Sequence, residues 1–256
     1  MGKFIIALYT GTGNTLYVAK QFKNAEIHFI SEFLSGQYVL LDDTETLGIM
    51  FPVYNQSYPY PVALFVKQVL SKRDNSALQY IFAINTSSGH SLGANYMLEK
   101  LLMDSGVALS YSTSLKFPSA DLKKHHKSLS EMKTLAEVNK RALRIEKTIN
   151  DIENKEIKIS KYIPFSYIKE LISNRTNKPK KVTDLAVSDK CTACEICYKI
   201  CPTDNITIDK GKAMFKDACI KCYACYHRCP EKAIIYKKKT TGQYIGLVDT
   251  KELFRR

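Results

Sequence analysis

No cysteine occurs in the first 190 of the 256 residues, and the chain contains no tryptophan. A disulfide framework is therefore excluded over that whole stretch, which must fold on an apolar core. With 45% hydrophobic residues there is ample material for one. Long apolar runs are also lacking. Phe4-Ile5-Ile6-Ala7-Leu8-Tyr9 is too short to cross a bilayer, and it leads into a polar turn, unlike a leader peptide with its cleavage site. No later stretch reaches the required length, so no membrane span is expected. Within the whole chain no Ser/His/Asp triad and no paired carboxylates stand out, and no catalytic residue is assigned.

All eight cysteines lie in two runs, Cys191-x2-Cys194-x2-Cys197-x3-Cys201-Pro202 and Cys219-x2-Cys222-x2-Cys225-x3-Cys229-Pro230. This doubled spacing is the signature of bacterial two-cluster ferredoxins. Three thiolates two residues apart in a tight turn can face one [4Fe-4S] cubane, and the fourth, ahead of a proline, reaches the other. The first cluster is therefore expected to use Cys191, Cys194, Cys197 and Cys229, and the second Cys219, Cys222, Cys225 and Cys201. Zinc is the alternative metal, since thiolates suit it too, but a zinc site would pair two C-x2-C knuckles and need neither the third cysteine nor the proline. With every cysteine used as a ligand, none remains for structural disulfides. That fits a reducing compartment, and a soluble, cytoplasmic protein is expected.

Acidic residues are the scarcer charge, 25 against 38 basic, a formal net of +13. The excess is uneven: residues 1–115 carry 7 basic and 8 acidic groups, residues 116–181 carry 17 and 8, and residues 182–256 carry 14 and 9. Each cubane held by four thiolates is itself anionic and would lower the total. In the middle segment lysines alternate with glutamates along a helical pattern, which reads as a solvated face. Docking of an acidic redox protein is the sharper reading, and nucleic acid is not the expected partner.

Residues 4–9 form an apolar strand that stops at Thr10-Gly11-Thr12-Gly13-Asn14-Thr15, and a helical pattern follows through Leu16, Val18, Ala19 and Phe22. Further strands are expected at Ile27–Ile30, Leu47–Phe51, Tyr80–Asn85 and Val107–Thr113, with helices at about Pro61–Ser71 and Ser91–Ser105. The alternation predicts an α/β, doubly wound, parallel five-stranded sheet of flavodoxin-like type. One long helix is expected over Leu129–Ile152, capped by Ser128 and Glu131, with Leu129, Met132, Leu135, Val138, Ala142, Ile145, Ile149 and Ile152 on one face. The expected domains are 1–152 (sheet domain with its C-terminal helix), 153–182 (basic connector with a helical turn near Tyr167–Ile172), 183–240 (a small α+β ferredoxin-like dicluster domain) and 241–256 (tail). In the third, Ile206–Ile208 and Ala213–Phe215 should form a hairpin around Asp209–Lys212, and Ala186-Val187 should pair with Ile234–Tyr236.

The loop at 10–15 has the makings of an anion site: two glycines free the backbone to turn its amides inward, and three threonines add neutral donors. It lacks the lysine of a Walker loop, and Leu16 stands where a dinucleotide fingerprint needs a third small residue. A single phosphate monoester suits it best. The T-x-T-G-x-T pattern between strand and helix resembles the FMN phosphate loop of flavodoxins. That resemblance implies that Thr10, Thr12 and Thr15, with the backbone of Gly11, Gly13 and Asn14, hold the phosphate. It further implies two ring-binding loops, Pro52-Val53-Tyr54-Asn55-Gln56-Ser57 and Asn85-Thr86-Ser87-Ser88-Gly89-His90. With no tryptophan to cover the ring, Tyr54 is the stacking candidate and His90 the second.

Taken along its length, the chain resembles the flavodoxin–ferredoxin fusion proteins, the EFR1-family ferredoxins or flavoferredoxins. The resemblance implies two [4Fe-4S] clusters, FMN, and electron transfer in anaerobic-type metabolism with separate redox proteins such as a ferredoxin, a flavodoxin or a reductase. The alternative is a flavin-dependent oxidoreductase that reduces its own small-molecule substrate. His125 and His126, among lysines, read as a solvated loop. His227 and Arg228 read as turn residues, with hydrogen bonding to cluster sulfur as the other option. Tyr223 and Tyr226 are expected to shield the clusters.

Overall fold

Apolar strands alternating with helices build a five-stranded parallel sheet, followed by a small region of paired antiparallel strands. The computed structural model describes residues 2–89, 92–122, 131–159, 178–237 and 242–255. Their contacts sort the chain into two units: Met1–Thr10, Thr15–Phe117 and Lys140–Lys178, and Gly11–Asn14, Pro118–Asn139 and Pro179–Arg256.

In the first unit β1 (Lys3–Leu8), β2 (Glu26–Phe29), β3 (Thr44–Pro52), β4 (Tyr80–Ser87) and β5 (Tyr111–Lys116) lie in the order β2-β1-β3-β4-β5, all parallel. The order reverses between β1 and β3, so the loops leaving these two strands diverge and leave a crevice at their carboxyl ends. Parallel strands covered on both faces lose the polar alternation of a half-exposed strand. Accordingly Ile5, Ile6, Ala7 and Leu8 of β1 are fully buried, as are Phe82, Ala83 and Ile84 of β4. Gly48 of β3 pairs with Phe82, and a Cβ there would come within 2.3 Å of the Phe82 ring. The missing side chain is what lets that ring lie across the strand and stack on Phe22 at 5.5 Å.

Helices α1 (Asn14–Ala19), α2 (Ile30–Ser35), α3 (Tyr60–Gln68) and α4 (Leu92–Met103) connect the strands. Proline in the first turn of α3 gives up no hydrogen bond, since that turn's amides have no partner within the helix. The fifth strand starts later than the expected Val107. Gly106 takes a left-handed φ of 72°, and Val107 donates to the Leu102 carbonyl, so this buried valine caps α4. The strand proper is Tyr-Ser-Thr-Ser-Leu-Lys, whose hydroxyl side chains hide it from a hydrophobic reading.

The single long helix expected over Leu129–Ile152 is two helices, α5 (Glu131–Asn139) and α6 (Ala142–Glu153), broken at Lys140-Arg141. The described apolar positions do not form one stripe. Val138 is buried, while Met132 and Leu135 are exposed, and in α6 the buried face is Ile145, Thr148, Ile149 and Ile152. The break lets each helix bury its own face, α5 in the second unit and α6 in the first. Beyond α6, Lys158 bridges to Tyr111 in parallel, and the Tyr111 hydroxyl donates to Asp151 at 3.1 Å.

The second unit is built twice over. The antiparallel pairs β6 (Leu185–Val187) with β9 (Ile234–Tyr236) and β7 (Ile206–Asp209) with β8 (Lys212–Phe215) accompany the one-turn helices Ile196–Lys199 and Ala224–His227. The hairpin turn at Lys210-Gly211 has φ of 45° and 75°, the two left-handed residues a tight two-residue hairpin requires. Ile206, Ala213, Tyr226 and Ile234 form the centre of its core. The tail ends in a single 3-10 turn, Lys251–Leu253, with Leu253 buried. Among the described residues no helix is long and apolar enough to cross a membrane. His90, His125, His126, Ser128, Leu129 and the segment Tyr167–Ile172 lie outside the described residues.

Candidate cofactor sites

Each cysteine run is a loop whose backbone is wound by left-handed residues, and the two loops repeat each other 28 positions apart (Cys191 to Cys219). Ala193 and Lys221 have φ of 55°, Glu195 and Tyr223 have 62° and 56°, and Asp204 and Lys232 have 52° and 49°. Such conformations are costly for residues with a Cβ and persist only where the surroundings hold them. Here they curl each loop so that successive cysteines face one centre. Backbone amides then point at sulfur in the same repeat: Asn205 N–H donates to Cys201 Sγ at 3.2 Å, and Ala233 N–H to Cys229 Sγ at 3.3 Å. Lys221 N–H donates to Cys219 Sγ at 3.3 Å.

Cys191, Cys194, Cys197 and Cys229 line one cavity, walled on its apolar side by Ile208 and Ile234. Cys225 is buried close to Cys222, Cys201 and Cys219, and to Cys197 of the first set, each of which disfavours its ionised form. Burial, followed by the neighbouring thiols Cys194 and Cys229, pushes the Cys197 thiol up to about 12. Burial also pushes Cys222 to about 12 and Cys225 well above the ordinary thiol value. Without a metal these sulfurs hold their protons. A bound iron cluster supplies the positive charge that stabilises the thiolates, so loading releases protons. Among the described residues no three Cys, His, Asp or Glu side chains are grouped to hold a single metal ion. A cubane differs in asking for one thiolate at each of four separate irons. The donor set, the amide-to-sulfur bonds and the wound loops all fit a cluster.

The loop at 10–15 leaves the carboxyl end of β1. Thr10, Thr12, Asn14 and Thr15 are all buried. In the first unit the Thr15 hydroxyl lies 2.9 Å from that of Thr86, at the end of β4, and Val53 N–H donates to the Thr86 carbonyl at 2.9 Å. These contacts bring the end of the 10–15 loop together with Pro52-Val53 and the 85–89 loop. Tyr54, half-buried, opens a tight turn closed by Ser57, with Asn55 and Gln56 both left-handed and exposed. Its ring meets Tyr9 edge-on at 6.2 Å. Asn85 faces inward: its amide donates to Asn95 Oδ1 at 2.8 Å and its carbonyl oxygen accepts from Ser114 at 2.5 Å. It is a buried strut under the loop, which periodicity alone could not reveal. Ser88 and Gly89 are exposed, and Ser87 Oγ donates to the Gly89 carbonyl.

The tip of the loop, Gly11–Asn14, groups with the second unit. There the Arg228 guanidinium donates to the Thr12 carbonyl at 2.9 Å and to the Val248 carbonyl at 3.1 Å, and the Tyr244 hydroxyl meets Asn14 Oδ1 at 2.6 Å. Gly13 has φ of 102°, and a Cβ there would strike Val248. The Arg228 guanidinium thus ties the loop tip to Val248 and, through the Thr250 hydroxyl at 3.3 Å, to the tail. His227 engages both ring nitrogens, with Nδ1 accepting from Tyr244 N–H at 2.9 Å and Nε2 donating to the Ala120 carbonyl at 2.8 Å. Tyr223 and Tyr226 pack in one core with Cys197, Cys201 and Cys225. Sequence reasoning left the tail without a role. Gln243 in fact donates to the Tyr226 and Cys229 carbonyls at 3.0 and 2.8 Å, bracing the second cysteine run. A lone glutamine carries no signal by which this could have been foreseen.

Residues 177–234 match the family model described as a 4Fe-4S dicluster domain. No curated protein matches the chain. Among solved structures, a flavoprotein in complex with FMN from Lactobacillus acidophilus is 14% identical, covering 44% of this chain and 93% of that one at a TM-score of 0.35. The Trp repressor binding protein of Bacillus subtilis is 15% identical, covering 45% and 84% at 0.35. Rubredoxin oxygen:oxidoreductase of Desulfovibrio gigas is 14% identical, covering 44% and 29% at 0.32. Likenesses at this level add nothing to the strand order described above.

Proposed function

We propose that this chain is an electron-transfer protein of the flavodoxin–ferredoxin fusion type, holding two [4Fe-4S] clusters and FMN and exchanging electrons with separate redox proteins. The observation that carries the reading is the repeated pair of cysteine loops, with four thiols lining one cavity in a segment that matches a dicluster domain. A bound cubane passes one electron at a time, whereas a bound flavin accepts one or two, so one chain holding both can connect single-electron carriers to a two-electron centre. Cys191, Cys194, Cys197 and Cys229 would hold one cluster, and Cys219, Cys222, Cys225 and Cys201 the other. The flavin phosphate is assigned to the donors of Thr10–Thr15. Support for that comes from the hydroxyls of Thr15 and Thr86 meeting at the strand ends, where open α/β sheets bind ligands. Pro52–Asn55 with Tyr54 and Asn85–His90 would border the ring.

The test is anaerobic expression and reconstitution, followed by iron, sulfide and flavin counts per chain. About eight irons are expected, with one FMN. Eight irons without flavin, even after FMN is added, would overturn the flavin half alone. Replacing Thr12 and Thr15 by alanine should weaken FMN and spare iron. Turnover of NAD(P)H with a small-molecule acceptor, and no added carrier protein, would instead mark an autonomous oxidoreductase.

A further inference from the structure

The internal repeat invites a comparison of the two cysteine loops: Ala193 stands opposite Lys221, Glu195 opposite Tyr223, Lys199 opposite His227 and Ile200 opposite Arg228, and the first of these differences builds an ion pair withdrawn from solvent. Lys221 lies between Cys219 and Cys222, and its ammonium donates to Asp184 Oδ2 at 2.8 Å. Both side chains are largely withdrawn from solvent, 30% and 13% exposed. The other carboxylate oxygen, Asp184 Oδ1, is buried and makes no hydrogen bond. The loop fixes Lys221 firmly, because its own amide donates to Cys219 Sγ and its φ is left-handed. Asp184 is held just ahead of β6, where its carbonyl accepts from Lys237 N–H at 2.9 Å.

The equivalent place in the first loop is Ala193, which has the same φ and no charge. The counterpart of Asp184, 28 residues on, is Lys212. That lysine pairs with Asp189, whose side chain is 99% exposed. A pair at the surface is screened by water and salt, whereas a withdrawn pair is screened much less. Lys221 stands two residues beyond Cys219 and its amide donates to that sulfur, so the ion pair lies against the second cysteine run.

We propose that the Lys221–Asp184 pair sets the reduction potential of the second cluster apart from that of the first. The proposal rests on the reading that Cys219, Cys222, Cys225 and Cys201 hold a [4Fe-4S] cluster. Adding an electron makes a cluster more negative, so a nearby cation favours reduction and a nearby anion opposes it. Removing one member of a paired couple unmasks the other. Asp184→Asn leaves Lys221 uncompensated and should raise the potential of the second cluster. Lys221→Met leaves the carboxylate uncompensated and should lower it. Neither should move the first cluster.

The experiment is a redox titration of the reconstituted full-length protein, followed by EPR at low temperature, with iron counted per chain beforehand. The expected result is opposite shifts of one midpoint in the two variants, the other midpoint constant. A double variant, Asp184→Asn with Lys221→Met, should return close to the starting potential. Shifts of the same sign in both single variants, equal movement of both midpoints, or no movement would overturn the proposal. If a single variant fails to load iron, the double variant alone with Ala193→Lys still decides. Lysine at 193 should raise the first midpoint only, and an unmoved midpoint there would overturn the argument that charge at this loop position controls potential. A wild-type chain that binds no iron would defeat the cluster reading itself, and the proposal with it.

Discussion

Replacing Cys229 by alanine should cost the cluster held by the first cysteine run, although Cys229 ends the second. The expectation follows from the cavity that Cys229 shares with Cys191, Cys194 and Cys197. With one of four ligands gone, iron should fall from about eight to about four per chain, since each cubane contributes four. The single variant does not separate this arrangement from one in which each run holds its own cluster, because both lose about four irons. The double variant Cys219→Ala with Cys229→Ala does. If ligation crosses between the runs, both clusters lose a ligand and iron falls to near zero. If each run is self-contained, both substitutions strike the same cluster and about four irons remain. Iron and acid-labile sulfide measured after anaerobic reconstitution give the answer. Four irons in the double variant would refute the crossed assignment and the reading of the cavity behind it.

Gly48→Ala should destabilise the protein by about 1–3 kcal/mol, the usual cost of overpacking a filled core, because the Phe82 ring it strikes is fully buried. A lower urea midpoint with unchanged slope is expected, and an unmoved midpoint would show that the ring can retreat. At the alkaline end, burial raises Tyr111, helped by its hydrogen bond to Asp151, from 10.0 to about 12, and burial also raises Tyr244 to about 12. A raised tyrosine keeps its proton longer in the folded chain, so its contribution to stability is complete below pH 10 and is lost as pH climbs toward 12. Thermal melts across that range should fall together with tyrosinate absorbance, and Tyr111→Phe should flatten the fall. A melting temperature independent of pH between 10 and 12 would contradict the sign.

Much of the sheet was legible because its strands are covered on both faces. Burial without alternation leaves continuous apolar runs, and β1, β3 and β4 were found where those runs stood. The fifth strand begins later than the apolar pattern predicts because its buried positions include Ser112 and Thr113, while the apolar Val107 before it serves a helix cap. The apolar spacing predicts one helix over 129–152 because it continues through Lys140-Arg141, and spacing does not show which neighbour each turn faces.

The cysteine runs, the hairpin at Lys210-Gly211 and the strand–loop–helix opening at 10–15 are fixed by sequence alone. Their geometry is local: a thiolate two residues from the next, or two left-handed residues in a turn, acts over a few bonds whatever lies beyond. Tertiary structure decided the rest. It set Thr15 against Thr86, put Asn95 and Ser114 on Asn85, aimed Arg228 at Thr12, and gave Lys221 a carboxylate partner 37 residues away. None of those polar side chains announces its partner, because a hydrogen bond or an ion pair depends on which surfaces the packed core brings within 3 Å or so, and that is settled only once the chain has folded.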